Sequence, residues 1–373
     1  MQYVNLTTMR QIGLEPSYSE FLASDKPLSR EGSMSKTASI DQTDRERLHE
    51  KFAQLGLRGY WQNRRDSQRM EPKLWRWKDI HPVLMETTEV IRIGPDAFRR
   101  NVGLQTGSKT LSMGFQIVLP GETAAAHRHT NTALRFVVSG GGAYTTSNGE
   151  PMIMEPGDLL IQPNWVWHDH INNSKEPIIW IDALDAGVVS FLDASIFREE
   201  WAEGKQQPLT RAHGASRRLY GPARQPKIDY QGAAGVPYHY KWNEALDALK
   251  ALDEQGLQDP YDGLHIEYKN PVDGGPTFLT MTCYLQMLKP GQQTAFHRHT
   301  GTAMYHTVQG QGVTIVDKTD AIELQWNDHD SFTVPSWSWH AHKNLSRTEP
   351  AILFSFTDRP LLKMTGLDRE ENE

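Results

Sequence analysis

The stretch HRHTNTALRF, residues 127–136, returns as HRHTGTAMYH, residues 297–306. A second phrase, PNWVWHDHIN at 163–172, returns in the same order as PSWSWHAHKN at 335–344. Two matched phrases in one order mean two copies of one domain. In each copy a His-x-His pair is followed by a third histidine, and alternate residues on a strand share a face. His127 and His129 can therefore address one point, and His168 adds an imidazole from another strand. Neutral imidazoles suit Fe, Mn, Ni, Cu or Zn, and three of them do not choose among these metals. The second copy offers His297, His299 and His340.

From about Val90 the chain reads as short period-two runs cut by Gly, Pro and Asn, such as SMGFQIVLPG, RFVVSGGG and PIIWIDALD. Strand-sized units with frequent turn signals predict an all-β protein with short helices, and argue against βαβ units. Helical patterns are confined to 41–62, where Leu48, Phe52 and Leu55 share a face, to a short piece at 80–85, to 243–255, and to the run after Asp358. LWRW, 74–77, reads as aromatic packing material. The expected organisation is an N-terminal arm with helices over 1–88, a first barrel over 89–187 and an intervening segment with a helix over 188–265. A second barrel over 266–360 and a tail over 361–373 complete it.

The chain has 373 residues, a net charge of -7 and one cysteine, Cys283. That balance gives no long-range attraction for nucleic acid or an anionic membrane. A single cysteine excludes an internal disulfide and fits a reducing compartment. No signal-peptide pattern and no apolar run of spanning length is present, so a cytoplasmic location is expected.

These motifs resemble the cupin superfamily, and specifically the bicupins, with duplicated double-stranded β-helix (jelly-roll) barrels. Gly121, His127, His129 and the glycines near Gly140 match the first cupin motif; Gly157, Pro163, His168 and Asn172 match the second. Most cupins place a glutamate about five residues after the second histidine, where this chain has Leu134 and, in the repeat, Met304. With ALRFVV and WVWHDHIN, that departure resembles the gentisate, salicylate and 1-hydroxy-2-naphthoate 1,2-dioxygenases over roughly 74–360. The resemblance implies a homotetramer that uses dioxygen to cleave a small aromatic acid between the carboxyl-bearing and adjacent hydroxyl-bearing carbons. Gentisate would give maleylpyruvate.

The resemblance further implies one Fe(II) per subunit, held by His127, His129 and His168. Arg135 would receive the substrate carboxylate through its bidentate fork. Arg99, or Arg100 beside it, would lie near the substrate, and Gln116 and Ser112 would line its ring. His170 would accept a proton or support the substrate hydroxyls, and Asp182 would hold a histidine or arginine in place. Trp165 and Trp180 read as wall or core.

The second copy keeps its triad and Gln286, but Tyr305 replaces Arg135, while His306 and His329 add imidazoles. Catalysis is therefore expected in the first barrel; His297, His299 and His340 form a candidate second metal site whose occupancy the residues leave open. Three other readings stand beside the first. They are the same cleavage of 5-nitrosalicylate, salicylate or 1-hydroxy-2-naphthoate, a non-catalytic bicupin binding protein, and a Mn-dependent decarboxylase. Ser112 and the sequence WHDH at 167–170 lean toward gentisate.

Overall fold

Among the described residues, runs rich in branched and aromatic residues become the strands of four antiparallel sheets, as their propensity dictates. The computed structural model describes residues 70–94, 96–194, 198–221 and 235–373, with helical backbone also at Glu46, Arg47, Glu50 and Gln54. The chain divides into two compact units, Met1–Arg65 and Asp66–Glu373. The expected arm over 1–40 lies outside the described residues, as does the expected helix over 41–62 except at those four positions.

Each barrel pairs one six-stranded sheet with one five-stranded sheet. In the first, the larger sheet runs Tyr238–Tyr240, Leu159–Gln162, Ala133–Ser139, Ile178–Leu184, Ser112–Val118, Asn101–Gly103. The smaller runs Arg198–Glu200, Thr123–His129, His168–Ile171, Tyr144–Ser147, Glu150–Ile153. The second barrel repeats this order, with Lys73–Trp75 at the edge of its larger sheet and Glu370–Asn372 at the edge of its smaller one.

The larger sheets explain the near-continuous apolar runs of the sequence, because they are buried on both faces. One face of the first sheet presents Met113, Phe115, Leu134, Phe136 and Ile181 to Cys283, Leu285, Met304, Phe354 and Phe356 of the second, forming one shared core. The rings of Phe136 and Phe354 stack 4.1 Å apart at its centre. The opposite face looks into the barrel and carries the polar residues. Register pairs Gln116 with Trp180 and Asn101, Gly114 with Asp182, and Asp182 with Arg135. Cys283 is wholly buried in the shared core, and that burial pushes its thiol well up.

The expected segment boundaries shift in a reciprocal way. Lys73–Trp75, ahead of the first barrel, pairs with Ser331–Val334 of the second, whereas Tyr238–Tyr240, ahead of the second, pairs with Leu159–Gln162 of the first. A helix follows each: Trp77–Val90, longer than the expected 80–85, and Trp242–Glu254, close to the expected 243–255. The other barrel caps each helix. Asp330 accepts the Trp77 N–H at 2.7 Å and Asp158 the Trp242 N–H at 3.0 Å, each satisfying a first-turn donor. Asp158 also binds His239 at 2.8 Å and pairs with Lys241. The repeat unit therefore begins upstream of both expected barrels. The boundary expected at 265/266 falls inside the strand Leu264–Tyr268, and the tail over 361–373 ends in the strand Glu370–Asn372.

His306 and His329 do not join the second triad. His306 occupies the position of Phe136 on the outer face, and its ring lies 6.2 Å from both Phe115 and Phe136. His329 holds the left-handed conformation (φ 65°) that Gly157 adopts in the first copy (φ 84°), with its ring 5.7 Å from Trp77. A one-residue step along a strand sends a side chain to the opposite face, so proximity in sequence to Tyr305 was misleading.

Two outcomes follow. A fragment of residues 96–200 alone would expose Phe115, Leu134, Phe136 and Ile181 and lose the Tyr238–Tyr240 strand. Expressed without the rest of the chain it is expected to aggregate, as size-exclusion chromatography would register. Burial, aided by His329, holds His306 down at about 3 against its usual 6.5. The unfolded chain then binds the extra proton between those values, so stability falls as pH drops through that window. His306→Leu should remove about one proton from that dependence, roughly 1.4 kcal/mol per pH unit, in denaturation midpoints measured from pH 7 to 4. An unchanged slope would count against the assignment.

Candidate metal and anion site

His127 and His129 lie at the end of the strand Thr123–His129, and His168 opens the strand His168–Ile171. Register sets His168 directly opposite His127, after an irregularity between Ala124 and His127. One ligand nitrogen from each imidazole lies within 4.8 Å of the others. Two backbone carbonyls orient the rings: His129 Nδ1–H donates to Asn131 O at 3.0 Å and His168 Nδ1–H to Val166 O at 2.9 Å. These bonds fix the tautomer and leave each Nε2 with its lone pair free, the outer-shell arrangement a metal-binding histidine requires. His168 Nε2 is buried with no hydrogen-bonding partner among the described residues. Burial lowers all three pKa values, His129 to about 4, His127 further and His168 well below its ordinary value, so the imidazoles are neutral donors at pH 7. The residues fit a divalent transition metal.

Guanidinium groups surround the triad. Arg135 is buried on the lumen face; its Nη1 donates to Gln162 Oε1 at 2.7 Å and its Nε lies 3.5 Å from Asp182 Oδ1. Asp182 in turn accepts Trp180 Nε1–H at 3.0 Å and Asn101 Nδ2–H at 2.8 Å. Burial disfavours both charges, lowering Arg135 and raising Asp182, and their attraction offsets this only in part. Arg99, rather than Arg100, reaches the triad. Its Nη2 donates to Ala125 O at 3.0 Å and lies against His127, nearest to Nδ1 and 3.3 Å from Nε2. Arg100 is instead buried in an ion pair with Glu122. Burial and the like charges of Arg135 and Arg198 draw Arg99 down to about 9. Arg198 is itself paired with Glu200 at 2.5 Å, and Arg99 and Arg135 together outnumber Asp182, which makes this an anion site.

The remaining expected residues divide. Gln116 is fully buried, and neither its amide nitrogen nor its amide oxygen has a partner among the described residues. Ser112 lies at the edge of the same face and donates weakly to Leu184 O at 3.4 Å. His170 pairs with Thr145 Oγ1 at 2.9 Å through Nδ1, its ring 5.9 Å from His168. Trp180 is core, whereas Trp165 lies under the Arg128 guanidinium at 4.5 Å. The missing glutamate needs a correction of position. Leu134 and Met304 point into the shared core, and the lumen-facing residues are their neighbours Ala133 and Ala303. No carboxylate joins the triad from this strand on either reading.

Three residues escaped the sequence reading: Asn101 and Gln162, which hold Asp182 and Arg135, and Arg198, opposite His129 on the added strand. Gln162 carried a legible signal, since Val334 replaces it in the copy where Tyr305 replaces Arg135. Asn101 and Arg198 have none, because only pairing brings them to the site.

Antiparallel sheets closing over a histidine triad define a cupin barrel, and the cupin domain family matches at residues 114–184 and 284–357. A 5-aminosalicylate 1,2-dioxygenase of Comamonas sp. is 36% identical over 88% of this chain and 91% of its own length. Gentisate 1,2-dioxygenase 1 of Aquipseudomonas alcaligenes is 37% identical over 80% and 86%. The solved salicylate 1,2-dioxygenase of Pseudoaminobacter salicylatoxidans, in an adduct with gentisate, superimposes with a TM-score of 0.79 at 27% identity, covering 91% of this chain and 96% of that one. The chain belongs to the bicupin ring-cleaving dioxygenases, the family of gentisate, salicylate and 1-hydroxy-2-naphthoate 1,2-dioxygenases. It is an enzyme of that class, and the non-catalytic binding protein is not favoured. Among the described residues no helix is long and apolar enough to cross a membrane.

Asp182→Ala would leave Arg135 buried without its counter-charge. A loss of about 3–5 kcal/mol in unfolding free energy is expected, and Asp182→Asn, which removes the same charge and keeps one acceptor for Trp180 Nε1–H, should lose nearly as much. An Asp182→Asn loss far below that of Asp182→Ala in chemical denaturation would reject the ion pair as the cause.

Proposed function

We propose that the first barrel cleaves gentisate between its carboxyl-bearing and adjacent hydroxyl-bearing carbons, giving maleylpyruvate, with Fe(II) held by His127, His129 and His168. Both atoms of one dioxygen enter the product and no external reductant is consumed, because the ring supplies the electrons. The observation that carries this reading is the pairing of a neutral imidazole triad with two arginines, Arg135 and Arg99, inside one barrel. Bound Fe(II) would supply a binding template and a path for electrons between ring and dioxygen.

The protein's own groups do the rest. Arg135, held by Gln162 and Asp182, presents a preset fork to the substrate carboxylate and orients the ring. Arg99, half-buried beside His127, adds positive charge where the phenolic oxygen becomes anionic. Nε2 of His170 is buried without a partner and would accept the hydroxyl hydrogen bond. The unpartnered amide of Gln116 offers a donor and an acceptor to the ring substituents, which supports a substrate with a polar group at position 5. The wall of buried core residues excludes bulk water.

A second reading, 5-aminosalicylate as substrate, is favoured by the similarity to the Comamonas enzyme, and its amino group makes the same kind of polar contact. Dioxygen consumption by anaerobically Fe(II)-loaded protein separates the two when gentisate, 5-aminosalicylate and salicylate are compared. Uptake with gentisate and formation of the maleylpyruvate chromophore are expected. Arg135→Ala should lower kcat/KM by on the order of 10²-fold or more through lost orientation. No uptake with any of these acids would overturn the reading.

A further inference from the structure

The second barrel keeps the triad but inverts the charge around it. His297 and His340 pair across the strands with their Nε2 atoms 2.7 Å apart, and His299 completes a set within 4.8 Å. The same type of carbonyl bond fixes the rings. His299 Nδ1–H donates to Thr300 O at 3.1 Å and His340 Nδ1–H to Ser338 O at 3.0 Å. This triad is thus oriented for a metal as fully as the first.

Around it every cation facing the first triad is replaced or neutralised. Tyr305 stands in register for Arg135 and Ser355 for Asp182. His265 pairs with Gln286 as Asn101 pairs with Gln116, so the segment that delivers Arg99 to the first triad here delivers Asp262. The Asp262 carboxylate lies 3.8 Å from His265 Nδ1 and lines the same cavity as His297 and His299. Opposite His299 the added strand places Glu370, where Arg198 faces His129. Arg359 enters the cavity wall already paired with Asp368 at 2.9 Å and Glu370 at 2.8 Å. Even the matched glutamine differs: Gln286 Nε2–H donates to Asp262 O at 2.7 Å, whereas Gln116 has no partner. Nε2 of His342, beside His340, is buried without a partner in the same way as Nε2 of His170.

We propose that His297, His299 and His340 bind a second divalent first-row transition metal, that Asp262 balances its charge, and that this centre admits water or neutral oxygen donors but not the aromatic acid. Imidazole donors with a nearby carboxylate suit such ions, and a fixed anion beside the metal disfavours a second, incoming carboxylate. The metal part stands on this barrel alone; the exclusion of the acid rests on the function proposed for the first barrel.

Anaerobic Co(II) loading of the full chain tests both parts, with elemental analysis for stoichiometry and the visible cobalt spectrum as the local readout. Wild type should hold two cobalt ions per chain, and the His127→Ala/His129→Ala variant one. Gentisate should shift the spectrum of wild type and leave that variant's unchanged. Asp262→Asn, made in the same variant, should weaken the remaining ion at least about 10-fold, as loss of a metal's outer support does. Wild type should also drop to one ion in His297→Ala/His340→Ala, which reads the second site while the first reports that the chain has folded. A wild type holding one ion, a first-site variant holding none, undiminished affinity in Asp262→Asn, or a gentisate shift in the first-site variant would each overturn the proposal. Two ions with no gentisate response in wild type would reject the function proposed for the first barrel and leave the second metal standing.

Discussion

The packing of one six-stranded sheet against its copy is the constraint on which the rest of the structure depends. It buries Phe115, Leu134, Phe136 and Ile181 against Leu285, Met304, Phe354 and Phe356 in a single core. A fully buried large apolar side chain contributes about 1.5–3 kcal/mol, so this core outweighs any polar contact at either site. Because strands alternate their faces, committing one face to the shared core commits the other to the lumen. Arg135, Asp182 and Gln116 therefore meet inside the barrel as a consequence of Leu134, Phe136 and Ile181 meeting outside it.

The reciprocal connections strengthen the same interface. Each repeat lends a strand to the other's larger sheet and has its helix capped by the other's aspartate, Asp158 or Asp330. Two further aspartates cross the junction in matching fashion. Thr110 Oγ1–H donates to Asp358 at 2.6 Å, and Thr280 Oγ1–H donates to Asp185 at 2.8 Å. Buried carboxylates are costly unless hydrogen-bonded; each accepts a backbone N–H of its own barrel, from Thr132 or Thr302, and the other barrel supplies the partner of its second oxygen. The duplication is thus one cooperative body, which left each lumen free to change its chemistry without loss of the scaffold.

That freedom was used at the polar positions. The two triads share their geometry and their carbonyl supports, yet one is faced by Arg99 and Arg135 beside the Arg198–Glu200 pair and the other by Asp262 beside the Arg359–Glu370 pair. Arg135 is costly to bury, and its orientation is held by groups absent from the second copy: Gln162 becomes Val334 and Asp182 becomes Ser355. An arginine kept in such surroundings is preorganised for an anion, since a ligand then finds the guanidinium already desolvated and aimed.

Much of this was written in the chain itself. The repeated His-x-His phrases and their partner histidines disclosed the duplication, the barrel class and both triads, because these ligands are close in sequence or on matched strands. The contrast of Arg135 with Tyr305 was equally legible. What the sequence could not disclose depended on which strand neighbours which. Arg99 was separated from Arg100 only when one reached His127 and the other Glu122. His306 resembled an addition to the second site until its strand face turned it toward Phe136, and the absent glutamate was displaced by one residue for the same reason. The loans of Lys73–Trp75 and Tyr238–Tyr240, and the approach of Asn101, Arg198 and Asp262 to their triads, arise from long-range pairing that no local pattern encodes. The sequence by itself determined the repeat, the strand grammar and the histidine triads. Only the tertiary structure decided the face of each side chain, the exchange between barrels and the opposite charge of the two pockets, since these follow from register and from contacts between distant segments.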